Sequence, residues 1–373
     1  MAEEKRSVCI YCETWESGGI ESFLCSVLTH MDLSTFEIDV VVARLRPSIF
    51  TEPLRSLGIR FIELSGDPRR MIENSRQFRR LLRRRRYDVV HANVFHSLSL
   101  YYLALAKQAG VPVRIAHSHN TALRRSALRP VKLALHHAGR RLLSRYATTF
   151  WACSAAAASF LFSAGELAAR GFAFIPNGIE LARFSFQPRR RAQVRAALGC
   201  DGSVLIGNIG RLCYQKNQVF LLELLPLIKA REPDARLILI GEGEDRDMLA
   251  KRAAELGIAA DVIFYGVTDH VEQLLWAMDV FAFPSRFEGL GIVAIEAQAA
   301  GLPVVCSENI PREALLSPDA RQIELARKEE WADALLDCAA CAQPREKGPE
   351  VCRDFSVEAV AARIEAYYKE EHL

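Results

Sequence analysis

Between Phe283 and Val305 the chain reads FPSRFEGLGIVAIEAQAAGLPVV, which sets two carboxylates, Glu288 and Glu296, on either side of the turn Gly289-Leu290-Gly291. A carboxylate accepts hydrogen bonds from neighbouring hydroxyls of a sugar. Glycines at a helix start let a phosphate approach backbone N–H groups that have no intrahelical acceptor. The local pattern provides that start. VFAFP reads as a buried strand, Ser285 to Gly291 as a turn, the apolar run to about Ala300 as a helix stopped by Gly301, and LPVVC as the next buried strand. Glu288 then lies in the loop and Glu296 about two helical turns further on. With a loop between them, one carboxylate suits the sugar hydroxyls and the other a ribose diol, rather than the nucleophile and partner of a retaining glycosidase. Both repel a diphosphate, so cations must come from elsewhere in the chain.

Gly210-Arg211-Leu212, followed by Lys216 and Asn217, supplies them. SVLIGNIGRLCYQKNQVFLLELL reads as a buried strand, a glycine turn and a helix for which Asn217 is the expected capping residue. Arg211 and Lys216 fall at the carboxyl end of that strand, where open parallel sheets bind ligands. Two positive charges there neutralise a diphosphate without a metal.

Other segments carry weaker signals. Gly18-Gly19 follows the first strand and precedes a helix beginning near Glu21; it is a phosphate-approach loop or a plain turn, and its position favours ligand contact. His117 and His119 end the strand VPVRIA, where a histidine either meets a sugar hydroxyl or is a core ring satisfied by backbone. His91 and His96 flank another strand end, with function and structure weighed evenly. Asp245-Arg246-Asp247 mimics a metal-binding Asp-x-Asp. The aspartates open the helical run DRDMLAKRAAEL, however, so capping is the preferred reading and no metal is expected. The pairs Cys9/Cys12 and Cys338/Cys341 have zinc-like spacing, but the first straddles both faces of a strand and the second lies in a remote helical run. All ten cysteines read as mostly buried thiols of a reducing compartment.

Positioning such groups takes more than one sheet. The first half alternates apolar strands, SVCIYC, FEIDVVVA, IRFIEL, YDVVHAN, VPVRIAHS, TTFWACS and FAFIP, with helical patterns; the second does so with SVLIGNI, ARLILIG, DVIFYG, DVFAFP and LPVVC. Asn, Gly, Pro and Arg cluster between Asn177 and Pro188. The chain of 373 residues, half of them hydrophobic, thus reads as two α/β domains, 1–178 with a closing helix 356–373, and 179–355. No apolar run approaches the ~20 residues of a membrane span and no signal peptide opens the sequence, so a cytoplasmic location is expected.

Charge is unevenly spread. Residues 60–146 hold 19 Lys and Arg against 4 Asp and Glu, a net +15, against −12 for the remainder of a chain whose total is +3. Two helices dominate, 71–86 with its arginine run and 130–146 with Lys132, His136 and Arg140 on one stripe and Val131, Leu135, Ala138 and Leu142 on another. An anionic membrane surface is weighed ahead of a plain solvated face. Nucleic acid comes last, because no stacking aromatics or nucleic-acid motif accompany the charge.

The segments GRL…KN at Gly210 to Asn217, FEGLGIVAIEA at Phe287 to Ala297 and IPNGIE at Ile175 to Glu180 resemble the signature of glycosyltransferase family 4, the retaining enzymes of the GT-B fold. GGIESF from Gly18, RIAHSHN from Arg114 and WACSAAAASFLF from Trp151 narrow the resemblance to the capsular and exopolysaccharide branch, in the family's order over nearly the whole chain. It implies two Rossmann-like domains facing across a cleft, with the closing helix crossing back to the first. It implies a metal-independent hexosyl transfer from a nucleotide sugar, UDP being the common nucleotide, to a glycan or lipid-linked glycan acceptor. It gives catalytic work to His119, Arg211, Lys216 and Glu288, and donor contacts to Gly19, Val267, Gly289, Leu290, Gly291 and Glu296. Gly18, His91 and His117 are left as acceptor-side candidates. The rivals are a sugar-nucleotide epimerase of like architecture, which needs no acceptor, and a non-catalytic partner of an assembly complex, which would bind no nucleotide sugar.

Overall fold

The structure is a computed structural model that describes residues 5–16, 18–121, 129–341 and 345–369. The backbone divides into two α/β units, Met1–Ile179 with Asp354–Leu373, and Glu180–Arg353. In the first unit the strands β1 (Arg6–Trp15), β2 (Phe36–Leu45), β3 (Arg60–Glu63), β4 (Val89–Val94), β5 (Val113–Ser118), β6 (Thr149–Ala152) and β7 (Ala173–Phe174) form one sheet in the order β3-β2-β1-β4-β5-β6-β7. In the second, β8 (Leu205–Ile209), β9 (Arg236–Ile240), β10 (Val262–Gly266), β11 (Val280–Phe283), β12 (Val304–Ser307) and β13 (Arg321–Ile323) stand in the order β10-β9-β8-β11-β12-β13. Every pairing is parallel. Crossover helices cover both faces of such sheets, which is why VVHANV and VFAF are buried along their whole length. The strand that periodicity misses is β13: three residues with an exposed arginine at the sheet edge, where one side needs no apolar partner.

In each unit the strand order reverses beside the first strand, between β1 and β4 and between β8 and β11. Loops leaving the carboxyl ends on either side of a reversal diverge and leave room for a ligand. In the second unit these are residues 210–217 and 284–291, the segments richest in candidate chemistry.

The closing segment returns to the first unit. Ile179 N–H donates to Phe355 O at 2.9 Å and Val357 N–H donates to Ile179 O at 2.9 Å. Gly178 permits this approach, since a Cβ there would lie 2.7 Å from Val357 Cα. The helix Val357–Lys369 then buries Val360, Ala361, Ile364 and Tyr368 in the core formed by β1, β2 and the helix Gly19–Thr29. The expected crossing-back is seen as far as Lys369; residues 370–373 lie outside the described residues. Among the described residues no helix is long and apolar enough to cross a membrane.

Candidate active site

In the second unit the loops after β8, β9 and β10 touch backbone to backbone. Gly210 N–H donates to Ile240 O, Leu212 N–H to Glu242 O and Gly241 N–H to Gly266 O, at 2.8 to 3.0 Å. A Cβ on Gly241 or Gly243 would strike the carbonyl of Gly210 or Leu212, so these glycines serve packing of the loops. Across the strand reversal, the loop after β8 is laced to the loop after β11. Arg286 N–H donates to Gln215 O at 2.8 Å, Gln215 Nε2 to Phe287 O at 2.9 Å, Asn217 Nδ2 to Pro284 O at 3.1 Å and Arg286 Nη2 to Asn217 Oδ1 at 2.8 Å. Asn217 sits at φ 57, a left-handed conformation that Asn tolerates better than most residues. It holds the N-cap position of the helix Gln218–Lys229, but its amide is spent on the other loop and makes no cap, contrary to expectation. Asp245 likewise stands at the start of the helix Arg246–Glu255 without a side-chain cap.

This lacing brings Lys216 to Glu288. Nζ donates to Oε1 at 2.7 Å, with the side chains 18% and 8% exposed, and Nζ also lies 5.1 Å from the centre of the Phe283 ring. Arg211 is more open and its Nε donates to Glu244 Oε2 at 3.0 Å. The helix Ile292–Ala299 begins at Gly291, whose φ of 90 and whose Cβ-sized gap of 2.9 Å from Phe283 both demand glycine. The Leu290 side chain is buried, so only its backbone can serve a ligand. Val267, just past β10, is exposed. Glu296 lies one and a half turns into the helix. Burial pushes its carboxyl up to about 7, against the pull of Arg183 and Lys216.

In the first unit, Gly18 precedes the helix Gly19–Thr29; a Cβ there would meet Glu21 Oε2 at 2.7 Å, whereas Gly19 faces open space. The three histidines form one cluster. Tyr368 OH lies 2.6 Å from His91 Nδ1, His91 Nε2 lies 3.1 Å from His117 Nδ1, and the His117 and His119 rings are 4.0 Å apart. His91 and His117, expected as acceptor-side candidates, are 1% and 0% exposed and pack as core rings. His119 is partly exposed, and its Nε2 lies 2.8 Å from Asn93 Oδ1. An amide oxygen only accepts, so the proton sits on Nε2 and Nδ1 is left as an acceptor. Burial drives His91 and His119 down to about 3 and His117 well below the usual histidine range.

The basic helices also differ from expectation. Met71–Arg84 turns Phe78 and Leu82 inward and exposes Arg76, Arg79, Arg80, Arg83 and Arg84, while Arg85, just past it, reaches Asp39 Oδ2 at 3.0 Å. The second helix spans Arg129–Leu143, followed by a 3₁₀ turn to Tyr146. Its supposed basic stripe is partly interior. His136 Nδ1 accepts from Ser97 N–H at 3.1 Å and Nε2 donates to Phe160 O at 2.9 Å; Arg140 Nη2 donates to Ser159 O at 2.6 Å and to Phe162 O. Val131, Leu135 and Leu142 face outward, 58%, 49% and 56% exposed. The inner face of this helix is polar, its burial satisfied by backbone groups of neighbouring elements.

Sequence reasoning missed Asn93, Gln215, Arg286, and the pair Arg183–Glu272, joined at 2.9 Å beside Glu296. Arg286 lies inside the FPSRFEG segment and was open to notice. The others act on partners that only the fold brings near.

A family model for Glycosyltransferase Family 4 matches residues 17–183, and one for Glycosyl transferases group 1 matches residues 191–339. EpsF of Bacillus subtilis is 31% identical over 351 residues, covering 92% of this chain and 88% of that protein. A GDP-mannose-dependent phosphatidylinositol monomannoside mannosyltransferase of Mycolicibacterium smegmatis is 32% identical over 219 residues, 55% of this chain and 54% of its own. Among solved structures, Anabaena HepE in complex with UDP superposes with a TM-score of 0.80 at 19% identity, covering 97% of this chain and 99% of that one; HepE has also been crystallised with UDP-glucose. Two parallel-sheet Rossmann-like units with this topology are those of a GT-B glycosyltransferase. The sequence relationships are narrower still: the chain belongs to glycosyltransferase family 4.

Proposed function

We propose that this glycosyltransferase moves a hexosyl group from UDP-sugar, with retention and without a metal, to a hydroxyl of a lipid-linked glycan in capsule or exopolysaccharide assembly. The observation that carries the reading is Lys216 Nζ at 2.7 Å from Glu288 Oε1, beside the Gly291 helix start. Lysine has three N–H donors, so Lys216 can hold Glu288 with one and a β-phosphate oxygen with another. Arg211, tied only by an exposed ion pair of about 0–1 kcal/mol, is cheaply redirected to the same diphosphate. Glu288 accepts from sugar hydroxyls, and Glu296 from the ribose diol. The helix start and the backbone N–H groups at Gly289 to Gly291 supply fixed positive polarity. Val267 offers backbone to the base, and Gly19 and His119 of the first unit are the residues proposed to act on the sugar.

The step balances without an external base. The acceptor oxygen attacks the anomeric carbon on the side of the leaving group as the bond from that carbon to the diphosphate oxygen breaks. The acceptor proton passes to that departing oxygen. The protein positions the partners and stabilises the charge that grows on the diphosphate. UDP is supported by the likeness to HepE, and GDP-mannose is the competing donor, favoured by the mannosyltransferase relative. The location proposed is the cytoplasmic side of the cell membrane, held at an anionic lipid surface by the first unit; nucleic acid is not a proposed partner.

A thermal-shift panel of UDP-glucose, UDP-galactose, UDP-N-acetylglucosamine and GDP-mannose tests the donor, because a ligand of the native state raises its melting temperature. One UDP-sugar is expected to shift the wild type and not Glu288→Ala. A response to GDP-mannose alone transfers the proposal to that donor, and a response to none removes the transferase reading in favour of a non-catalytic partner. Conversion of donor without acceptor into an isomeric nucleotide sugar marks an epimerase.

A further inference from the structure

The helix Arg129–Leu143 presents an apolar ridge and a cationic groove side by side. At about 100° per residue, Val131, Leu135, Ala138 and Leu142 fall within an arc of roughly 60° that points outward, with Arg141 and His137 on one flank and Lys132 on the other. The Arg141 flank opens into a groove of about 630 Å³ against Ser163 and Ala164, with Arg140 in its floor. Among the described residues no acidic side chain lines it. Arg140 is bonded to the neutral carbonyls of Ser159 and Phe162, and its Nε–H has no acceptor among the described residues. The Arg141 side chain has no ion-pair or hydrogen-bond partner among the described residues. Glu166, the acid of the adjoining helix, is already held by Arg170 at 3.2 Å.

Two adjacent guanidinium groups without a carboxylate repel each other, and burial together with Arg141 weakens Arg140's hold on its proton. An anion between them relieves that repulsion. A lone phosphate would leave most of the groove empty and the ridge in water. We propose that the groove receives the phosphate headgroup of an anionic phospholipid while Val131, Leu135 and Leu142 enter the acyl boundary beside it. The proposal rests on the membrane reading above and turns it from general attraction into a defined headgroup site.

Co-sedimentation of the full chain with neutral phosphatidylcholine vesicles and with vesicles carrying phosphatidylglycerol tests it. Each basic residue near an anionic surface is worth on the order of fivefold in binding, so Arg141→Glu is expected to weaken partition onto anionic vesicles roughly twentyfold and to leave neutral vesicles unaffected. Leu135→Asp is expected to lower binding to both. Glycerol phosphate should displace the wild type from anionic vesicles better than chloride at matched ionic strength. Donor-induced thermal shift should persist in every variant, since the ridge and groove lie in the first unit and the proposed donor residues are concentrated in the second. If reversing Arg83 and Arg84 weakens binding as much as Arg141→Glu, or chloride displaces as well as glycerol phosphate, the attraction is diffuse and the headgroup site falls while the membrane reading stands. Indifference of the wild type to both vesicles removes both.

Discussion

Lys216 and Glu288 are 72 residues apart in sequence, yet their side chains meet at 2.7 Å because the loops that carry them leave the two strands at which the second sheet reverses direction. Neither strand specifies the contact alone. Asn217 and Gln215 from one loop and Arg286 from the other fix the separation, and the ion pair forms where the lacing places it.

Removing one member leaves a nearly buried charge without its partner, which costs up to about 3–5 kcal/mol at a fully buried pair. Lys216→Ala and Glu288→Ala are each expected to lower kcat/KM by about two orders of magnitude or more, while the protein remains folded. The double variant separates structure from catalysis. Its melting temperature should recover relative to the single variants, since no orphaned charge remains, and its turnover should not. Recovery of turnover in the double variant, followed by a donor-consumption assay, assigns the pair a purely structural role.

Glu296 makes donor affinity dependent on pH. Burial raises its carboxyl to about 7, so near neutrality a sizeable fraction is protonated and cannot accept from both hydroxyls of a ribose. The diphosphate of a nucleotide sugar keeps its charge through this range. Affinity measured by calorimetry should therefore improve as pH rises from 6 to 8 and level off above. Glu296→Gln should bind more weakly at pH 8 and lose most of the pH dependence. An unchanged profile in that variant shows that another group titrates.

Much of the architecture is legible because parallel strands buried on both faces are written as continuous apolar runs, as in VFAF of β11 and LILI of β9, and because Gly291 and Gly301 bracket a helix. What escapes falls into two kinds. The edge strand β13 is too short and too polar to show a run. The inner face of Arg129–Leu143 is lined by His136 and Arg140, whose acceptors and donors sit on Ser97, Ser159 and Phe160, residues that no periodicity connects to them. The candidate carboxylates and cations are visible through residue type and spacing. Their supports, Asn93 beneath His119 and Arg183–Glu272 beside Glu296, depend on contacts 26 and 89 residues apart.

The histidine cluster should make the first unit sensitive to acid. His91, His117 and His119 are held neutral by burial, His91 and His119 with folded values near 3 and His117 well below the usual histidine range, while an unfolded histidine protonates near 6.5. The unfolded chain therefore binds up to three more protons than the folded one below that value, so stability is intact above about pH 7 and falls as the pH drops, by at most about 4 kcal/mol per pH unit. Melting temperatures between pH 7.5 and 5 should decline steeply. His91→Gln, which keeps a polar side chain toward Tyr368 and His117, should make the decline shallower even where it lowers stability at pH 7.5. An equally steep decline in that variant transfers the effect to other groups.

Asn217 offers a test of the lacing itself. Its left-handed backbone costs an ordinary residue about 1–2 kcal/mol, a penalty glycine escapes, while its amide joins Pro284 O and Arg286 Nη2. Asn217→Gly keeps the backbone and removes both bonds; Asn217→Ala removes the bonds and strains the backbone; Arg286→Ala removes one bond from the other side. Stability should fall in the order wild type, Arg286→Ala or Asn217→Gly, then Asn217→Ala, with the alanine variant about 1 kcal/mol or more below the glycine one by urea unfolding. Turnover should follow a different order. Both Asn217 variants and Arg286→Ala loosen the loop that carries Glu288 against the loop that carries Lys216, so kcat should fall about tenfold in all three while the affinity for free UDP changes little. A kcat loss confined to Asn217→Ala shows that backbone conformation alone sets the position of Lys216, and that the amide bonds between the loops only add stability.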